Sequence, residues 1–199
     1  MTRRLEFKET PLAGVQVLGR IVSTDPRGCF ERLFCQDELE HALGKRRIAQ
    51  INLSSTKVVG AVRGLHFQYP PCAETKIITC VKGAVFDVAL DVRRSSRTFL
   101  QWFGVRLSED SHSSFLIPEG FAHGFQVLSP DSQLLYIHTA PFAPNSQGVI
   151  NALDPAVNIN WPIPVTQRSD QDTLQPFIDG TFEGLAIPES TLPDAGGLQ

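Results

Sequence analysis

The stretch KIITCVKGAVFDVALDVRR, residues 76–94, decides how the rest of the chain is read. Short runs of Ile, Val, Phe and Ala stand on either side of a Lys82–Gly83 turn, the pattern of a β-hairpin. FLQWFGVRLS (99–108), SSFLIPEGFAHGFQVLS (113–129) and SQLLYIHTAPF (132–142) continue the same texture. Turn-rich pieces, SEDS (108–111) and SPDS (129–132), fall between them. Several short strands at this spacing predict a mainly β sandwich or barrel rather than a parallel α/β sheet. One helix is predicted in QDELEHALG (36–44), with Asp37 and Glu38 in its first turn and Gly44 as its stop.

The bulk numbers bound the rest. A chain of 199 residues forms one domain, with room for arms, and 42% hydrophobic with 20% charged residues is the composition of a globular protein. A net charge of -3 predicts no general affinity for nucleic acid or for an anionic membrane, and leaves room for a local basic pocket. The opening MTRRLEFKETPLAG carries no apolar run fit for a signal peptide, and no later segment is apolar for long enough to span a bilayer. A cytoplasmic location is therefore expected. Cys29, Cys35, Cys72 and Cys80 form no CxxC pair and read as reduced, mostly buried thiols. After NINWP (158–162) the chain turns rich in Pro, Gly, Ser, Thr and Asp. Its first part is expected to pack back on the β core, and its last ten or so residues to fray. Without a GxGxxG or GxxxxGKS loop, nicotinamide and P-loop chemistry are disfavoured.

Two histidines sit inside apolar strands flanked by glycine, His66 in RGLHFQ (63–68) and His123 in PEGFAHGFQ (118–126). Either alone reads as a core histidine bonded to a carbonyl. A metal site would need His66, Glu74 and His123 to converge without any His-x-His, a weak arrangement. Lys76 and Tyr136 add a lysine and a tyrosine to apolar strands, and together the set suits proton abstraction beside a carbonyl. A neutral imidazole takes the proton, a carboxylate fixes its tautomer, a cation holds the enolate and a phenol returns a proton from the other face. A lysine in such a strand can equally snorkel outward.

The segments RGLHFQYPPCAETKIITCVKGAVFDVALDVRRSSRTFLQW, LSEDSHSSFLIPEGFAHGF, LLYIHTAPFAP and LDPAVNINWP resemble the dTDP-4-dehydrorhamnose 3,5-epimerase family. RGLHxQ, FDVxxDxR, PEGFAHGF and DPxxxIxWP occur in the family's order and spacing, from about STDPRGCF (23–30) to SDQD (169–172). The resemblance implies a single domain over residues 1–199. A cupin-like β jelly roll with short helices would have its core at about 21–162, and a C-terminal segment, 163–199, would carry Asp172 and end in a partly flexible tail. It further implies a homodimer, catalysis without a metal or other cofactor, and a nucleoside-diphosphate 4-keto-6-deoxysugar as substrate. His66 resembles the base, Asp172 its carboxylate partner, Tyr136 the acid and Lys76 the cation at the keto oxygen. Arg63 resembles a diphosphate ligand, Arg27, Phe30, Gln50 and Asn52 match binding positions, and His123 lines the pocket. For Asp87 and Asp91 a strand-stabilising role and a role in the site stay equally open. Arg32, Ile137, Phe142 and Gln171 stand where many members carry glutamate, lysine, tyrosine and lysine. Arg32 then contacts the ligand or a neighbouring subunit's arm, or else pairs with Asp37 or Glu38 at the surface. A 3,4-ketoisomerase on a related jelly roll and a non-catalytic sugar-binding module are the rival readings.

Overall fold

The computed structural model describes residues 3–187. In chain order the strands are β1 (Leu5–Glu9), β2 (Gln16–Arg20), β3 (Ser23–Asp25), β4 (Gly28–Phe30), β5 (Gln50–Thr56), β6 (Val62–Gln68), β7 (Lys76–Lys82), β8 (Ala84–Asp91), β9 (Trp102–Ser108), β10 (Ser113–Ile117), β11 (Phe121–Val127), β12 (Ser132–His138) and β13 (Gln147–Val149). Two single-turn helices accompany them, α1 (Glu40–Leu43) and α2 (Asp170–Thr173). One sheet runs β1-β2-β10-β7-β12-β5 and the other β13-β6-β11-β8-β9, with β3 and β4 forming a separate two-stranded hairpin. The neighbours pair antiparallel, and the two larger sheets pack face to face as a jelly roll. Strands β1 and β2 extend the first sheet in front of the 21–162 span expected for the core.

The Lys82–Gly83 turn does not make a hairpin. β7 lies between β10 and β12 in one sheet and β8 between β11 and β9 in the other, so the chain crosses layers at Gly83. Turn chemistry reports a change of direction but not which strands pair afterwards. Gly83 has φ +75°, and a Cβ there would come within 2.6 Å of Ser132 Oγ and 2.7 Å of Ser129 Oγ.

Burial explains why these strands read as apolar runs. Ile78, Phe115, Ile117 and Leu134 of the first sheet meet Val85, Ala89, Leu107, Phe121 and Phe125 of the second, forming the inner core. The second sheet's outer face (Leu65, Phe67, Val88, Leu90) is covered by the later chain, through Ile150, Val157, Trp161 and Leu185. Leu39, Ala42 and Leu43 of the α1 region cover Ile77, Leu116 and Ile137 on the first sheet's outer face. The segment after residue 162 does pack back, with bridges Ala61–Gln167 and Arg93–Leu185. The expected frayed tail lies outside the described residues.

The predicted helix shrinks to one turn because Glu38 is engaged elsewhere. Its carboxylate accepts the backbone N–H groups of Arg4 (2.7 Å) and Leu5 (2.8 Å) and pairs with Arg32. The four cysteines are free thiols, but only Cys80 is buried, so the expectation of mostly buried thiols is corrected. Cys29 stands on the separate β3–β4 hairpin, and Cys35 and Cys72 lie in connections outside the strands, where neither sheet covers them fully.

Candidate active site

Strand periodicity puts the chemistry on the inner faces of the sheets. On β7, Lys76 shares the face of Ile78 and Cys80, and on β12, His138 shares that of Leu134 and Tyr136. On β11, His123 shares the face of Phe121 and Phe125. Lys76, His123, Phe125, Tyr136 and His138, with Asn52, Arg63 and His66, line a cleft of about 250 Å³ between the two sheets. Lys76 thus points inward and is buried.

His66 Nε2 lies 2.6 Å from Asp172 Oδ1. With Nε2–H donating to the carboxylate, Nδ1 is left as a free lone pair. The His66 ring is about a third exposed, whereas Asp172 is buried behind it in α2. Ser169 caps that turn, its Oγ accepting the Asp172 N–H at 3.1 Å. Burial opposes ionisation of Asp172. The His66 hydrogen bond and charge outweigh it, helped by Ser169 and the Gly64 N–H, and hold the carboxyl below the ordinary range.

A second imidazole–carboxylate pair joins His123 Nε2 to Asp87 Oδ1 at 2.6 Å, both buried. Asp87 Oδ2 is a buried oxygen with no hydrogen-bond partner. The His123 ring packs edge-on against Tyr136, centroids 5.8 Å apart. Burial, then the nearby Asp87 carboxylate, push the Tyr136 phenol well above its ordinary range, so it stays protonated at neutral pH. Lys76 Nζ donates to the His66 carbonyl oxygen at 3.2 Å and lies 3.3 Å from Glu74 Oε1. Arg63 is exposed at the cleft wall, 3.3 Å from Thr56 Oγ1.

Other expected positions fall outside the cleft. Arg27 is exposed and bonded to Asp25 at 2.6 Å, and Phe30 is 67% exposed, because the β3–β4 hairpin pairs only with itself and stands apart from the main sheets. Gln50 sits at the rim, its Oε1 accepting the Phe142 N–H at 2.9 Å. Arg32 pairs with Glu38, the second of its two expected placements. Asp91 is structural, holding Arg93, Ser96 and Thr98. His66, Glu74 and His123 do not converge on a common point, since each is bonded to a different partner, and no group of three metal-ligating side chains occurs among the described residues.

The model of the dTDP-4-dehydrorhamnose 3,5-epimerase family matches residues 9–179. The chain belongs to that family. It is thereby an epimerase, an isomerase acting on carbohydrate derivatives. The dTDP-4-dehydrorhamnose 3,5-epimerase of Shigella flexneri is 40% identical over 177 residues, 87% of this chain and 97% of its own. The dTDP-4-dehydrorhamnose 3-epimerase of Streptomyces niveus is also 40% identical, over 75% of this chain and 73% of its own. Among solved structures, the dTDP-6-deoxy-D-glucose-3,5-epimerase of Legionella pneumophila, in complex with dTDP-4-keto-L-rhamnose, superposes with a TM-score of 0.85. That match covers 92% of this chain and 99% of the other at 34% identity.

Sequence reasoning missed one part of this epimerase's cleft. His138 Nδ1 lies 2.7 Å from Glu74 Oε2, a third imidazole–carboxylate pair on the cleft wall. The signal was present: His138 stands two residues after Tyr136, and a period of two puts both on one face. Asp87 reaches the cleft only through His123, which favours neither of its two readings outright.

Proposed function

We propose that this chain inverts C3, C5 or both of a 4-keto-6-deoxyhexose carried on a nucleoside diphosphate. One observation carries the reading: His66 and Tyr136 face the same cleft from different sheets, His66 on β6 and Tyr136 on β12. A sugar ring between the sheets would have a base on one side and an acid on the other.

In this mechanism His66 Nδ1 takes the proton from the carbon beside the keto group. The C–H electron pair moves into the carbon–carbon bond and leaves an enolate. Asp172 stabilises the imidazolium that forms, and the Lys76 ammonium holds the enolate oxygen. Tyr136 then gives its proton to the opposite face of the carbon, inverting it, and regains one from solvent as His66 releases its own. Arg63, with its planar fork of donors, suits the diphosphate, and Asn52 on β5 also lines the cleft. The relatives include both a 3,5-epimerase and a 3-epimerase, so either outcome is within the family's range.

The same reading makes the protein a homodimer. Ile51 and Leu53 are 61% and 60% exposed on the edge strand β5, and Phe30 and Arg27 stand outside their own cleft. In a pair of subunits the β3–β4 hairpin would bring Arg27 and Phe30 to the partner's nucleotide. A cytoplasmic setting fits four unpaired thiols, and no helix among the described residues is long and apolar enough to cross a membrane.

The test is solvent-deuterium uptake into dTDP-, CDP-, GDP- and UDP-linked 4-keto-6-deoxyhexoses. Uptake at C3 or C5 with formation of the inverted sugar is expected for at least one nucleotide. Migration of the carbonyl would establish the ketoisomerase, and tight binding of these sugars without exchange or conversion would establish the binding module. Sedimentation at micromolar concentration checks the dimer.

A further inference from the structure

Of the three imidazole–carboxylate pairs at the cleft, the mechanism above uses only His66–Asp172, and of the other two the one between His138 and Glu74 stands against Lys76. Both side chains are nearly buried, at 11% and 8% exposure, so the arrangement is not a chance surface contact. Strand register builds it. His138 on β12 lies directly opposite Lys76 on β7, on the same face, and Glu74, two residues before Lys76, closes the triangle.

The protons of Lys76 define what the triangle does. An ammonium has three N–H bonds and accepts nothing. One points to the His66 carbonyl oxygen (3.2 Å) and a second to Glu74 Oε1 (3.3 Å). Two acceptors in fixed places set the rotation of the ammonium, and the third N–H is the one left for a ligand oxygen. Glu74 needs an anchor of its own, because a glutamate side chain with three free torsions would otherwise swing with the ammonium. His138 supplies it through Nδ1–H to Oε2 at 2.7 Å. The imidazole is held in turn by stacking on Tyr136, with centroids 5.8 Å apart and planes 16° apart, and its Nε2 faces the Asn52 amide at 3.5 Å. Burial opposes ionisation of Glu74, but the His138 hydrogen bond and the Lys76 charge keep its carboxyl below the ordinary range, so it acts only as an acceptor.

We infer that Glu74 and His138 are positioning residues that aim the Lys76 ammonium at the keto oxygen of the bound sugar. The inference rests on the role given to Lys76 under Proposed function. Its test uses solvent-deuterium uptake by a dTDP-linked 4-keto-6-deoxyhexose, or by whichever nucleotide sugar the wild type turns over. Glu74→Ala and His138→Ala should each lower kcat by about 10- to 100-fold, the size expected of a misplaced catalytic group, with KM nearly unchanged. His138→Gln, whose amide can still donate to Glu74, should recover most of the loss. In a Lys76→Met background neither alanine change should slow exchange further, because residues that act through a third lose their effect once it is gone. A thermal melt of each variant reports folding, and Glu74→Gln replaces Glu74→Ala if the latter does not fold. Lys76→Met with wild-type exchange would overturn the role of Lys76 and this inference with it. If Lys76→Met is slow, the inference falls alone on either of two results: wild-type kcat in the alanine variants, or alanine changes that cost as much in the Lys76→Met background as in the wild type.

Discussion

At the scale of single residues, the proposed mechanism separates proton removal, by His66, from proton return, by Tyr136. His66 is paired with Asp172, and Tyr136 is held protonated by burial and by Asp87. His66→Ala should therefore remove about 10²- to 10⁴-fold of the exchange at the sugar carbon, the range for a positioned acid–base group, while dTDP binding stays near wild type. Tyr136→Phe keeps the ring and its contacts with His123 and His138 and loses only the hydroxyl. Deuterium should still wash into the substrate through His66 while the inverted product fails to accumulate, as followed by NMR. Undiminished inversion in Tyr136→Phe would assign the acid to another group. His66, Lys76, His123 and Tyr136 were legible because each interrupts an apolar strand. A period of two also places His138 on the face of Tyr136, but its partnership with Glu74 was not legible, because chain pairing brings residues 64 apart in sequence to within a hydrogen bond.

At the scale of elements, local signals foretold strands but not their partners. Lys82–Gly83 marks a turn in any topology, and only the packing of two layers makes it a crossing. The cost of altering that corner is set by conformation and space. Gly83→Ala would put a side chain at φ +75° and against the Ser129 and Ser132 hydroxyls. A loss of at least about 1–2 kcal/mol in urea unfolding is expected from the left-handed backbone alone. The predicted helix is cut short for a related reason: Glu38 has the character of a first-turn acid, yet the amides of Arg4 and Leu5, at the entry to β1, claim it. The two-stranded arm shows the same limit. Its sequence matched ligand-binding positions, but its place apart from its own cleft follows from pairing that no local pattern encodes.

At the scale of the whole molecule, carboxylates bonded inside the fold set the response to acid. Glu31, Glu38, Glu74, Asp91 and Asp172 are all held below their ordinary range by hydrogen bonds and cations that outweigh burial. Each therefore adds stability that is fully present above the ordinary values of about 3.9 for Asp and 4.3 for Glu, and is lost as pH falls through the lower folded values. Urea unfolding should give a nearly flat stability from pH 7 to 5 as far as these groups decide it, then a steep fall below about pH 4. Asp91, fully buried against Arg93, should matter most. Asp91→Ala should cost about 3–5 kcal/mol at pH 7 by stranding the guanidinium, and should make the acid fall shallower. The layered fold was legible in outline, since strand texture and composition foretell a sandwich, whereas the covering of its outer faces depends on segments with no periodicity of their own. One such segment delivers Asp172 to His66 across 106 residues of chain. On a ribosome adding about 5–20 residues each second, the imidazole would wait about 5–20 s for its carboxylate. The nascent protein thus carries His66 without the partner that fixes its tautomer until nearly all of the chain has emerged, and under the proposed mechanism acid–base competence is among the last properties it acquires.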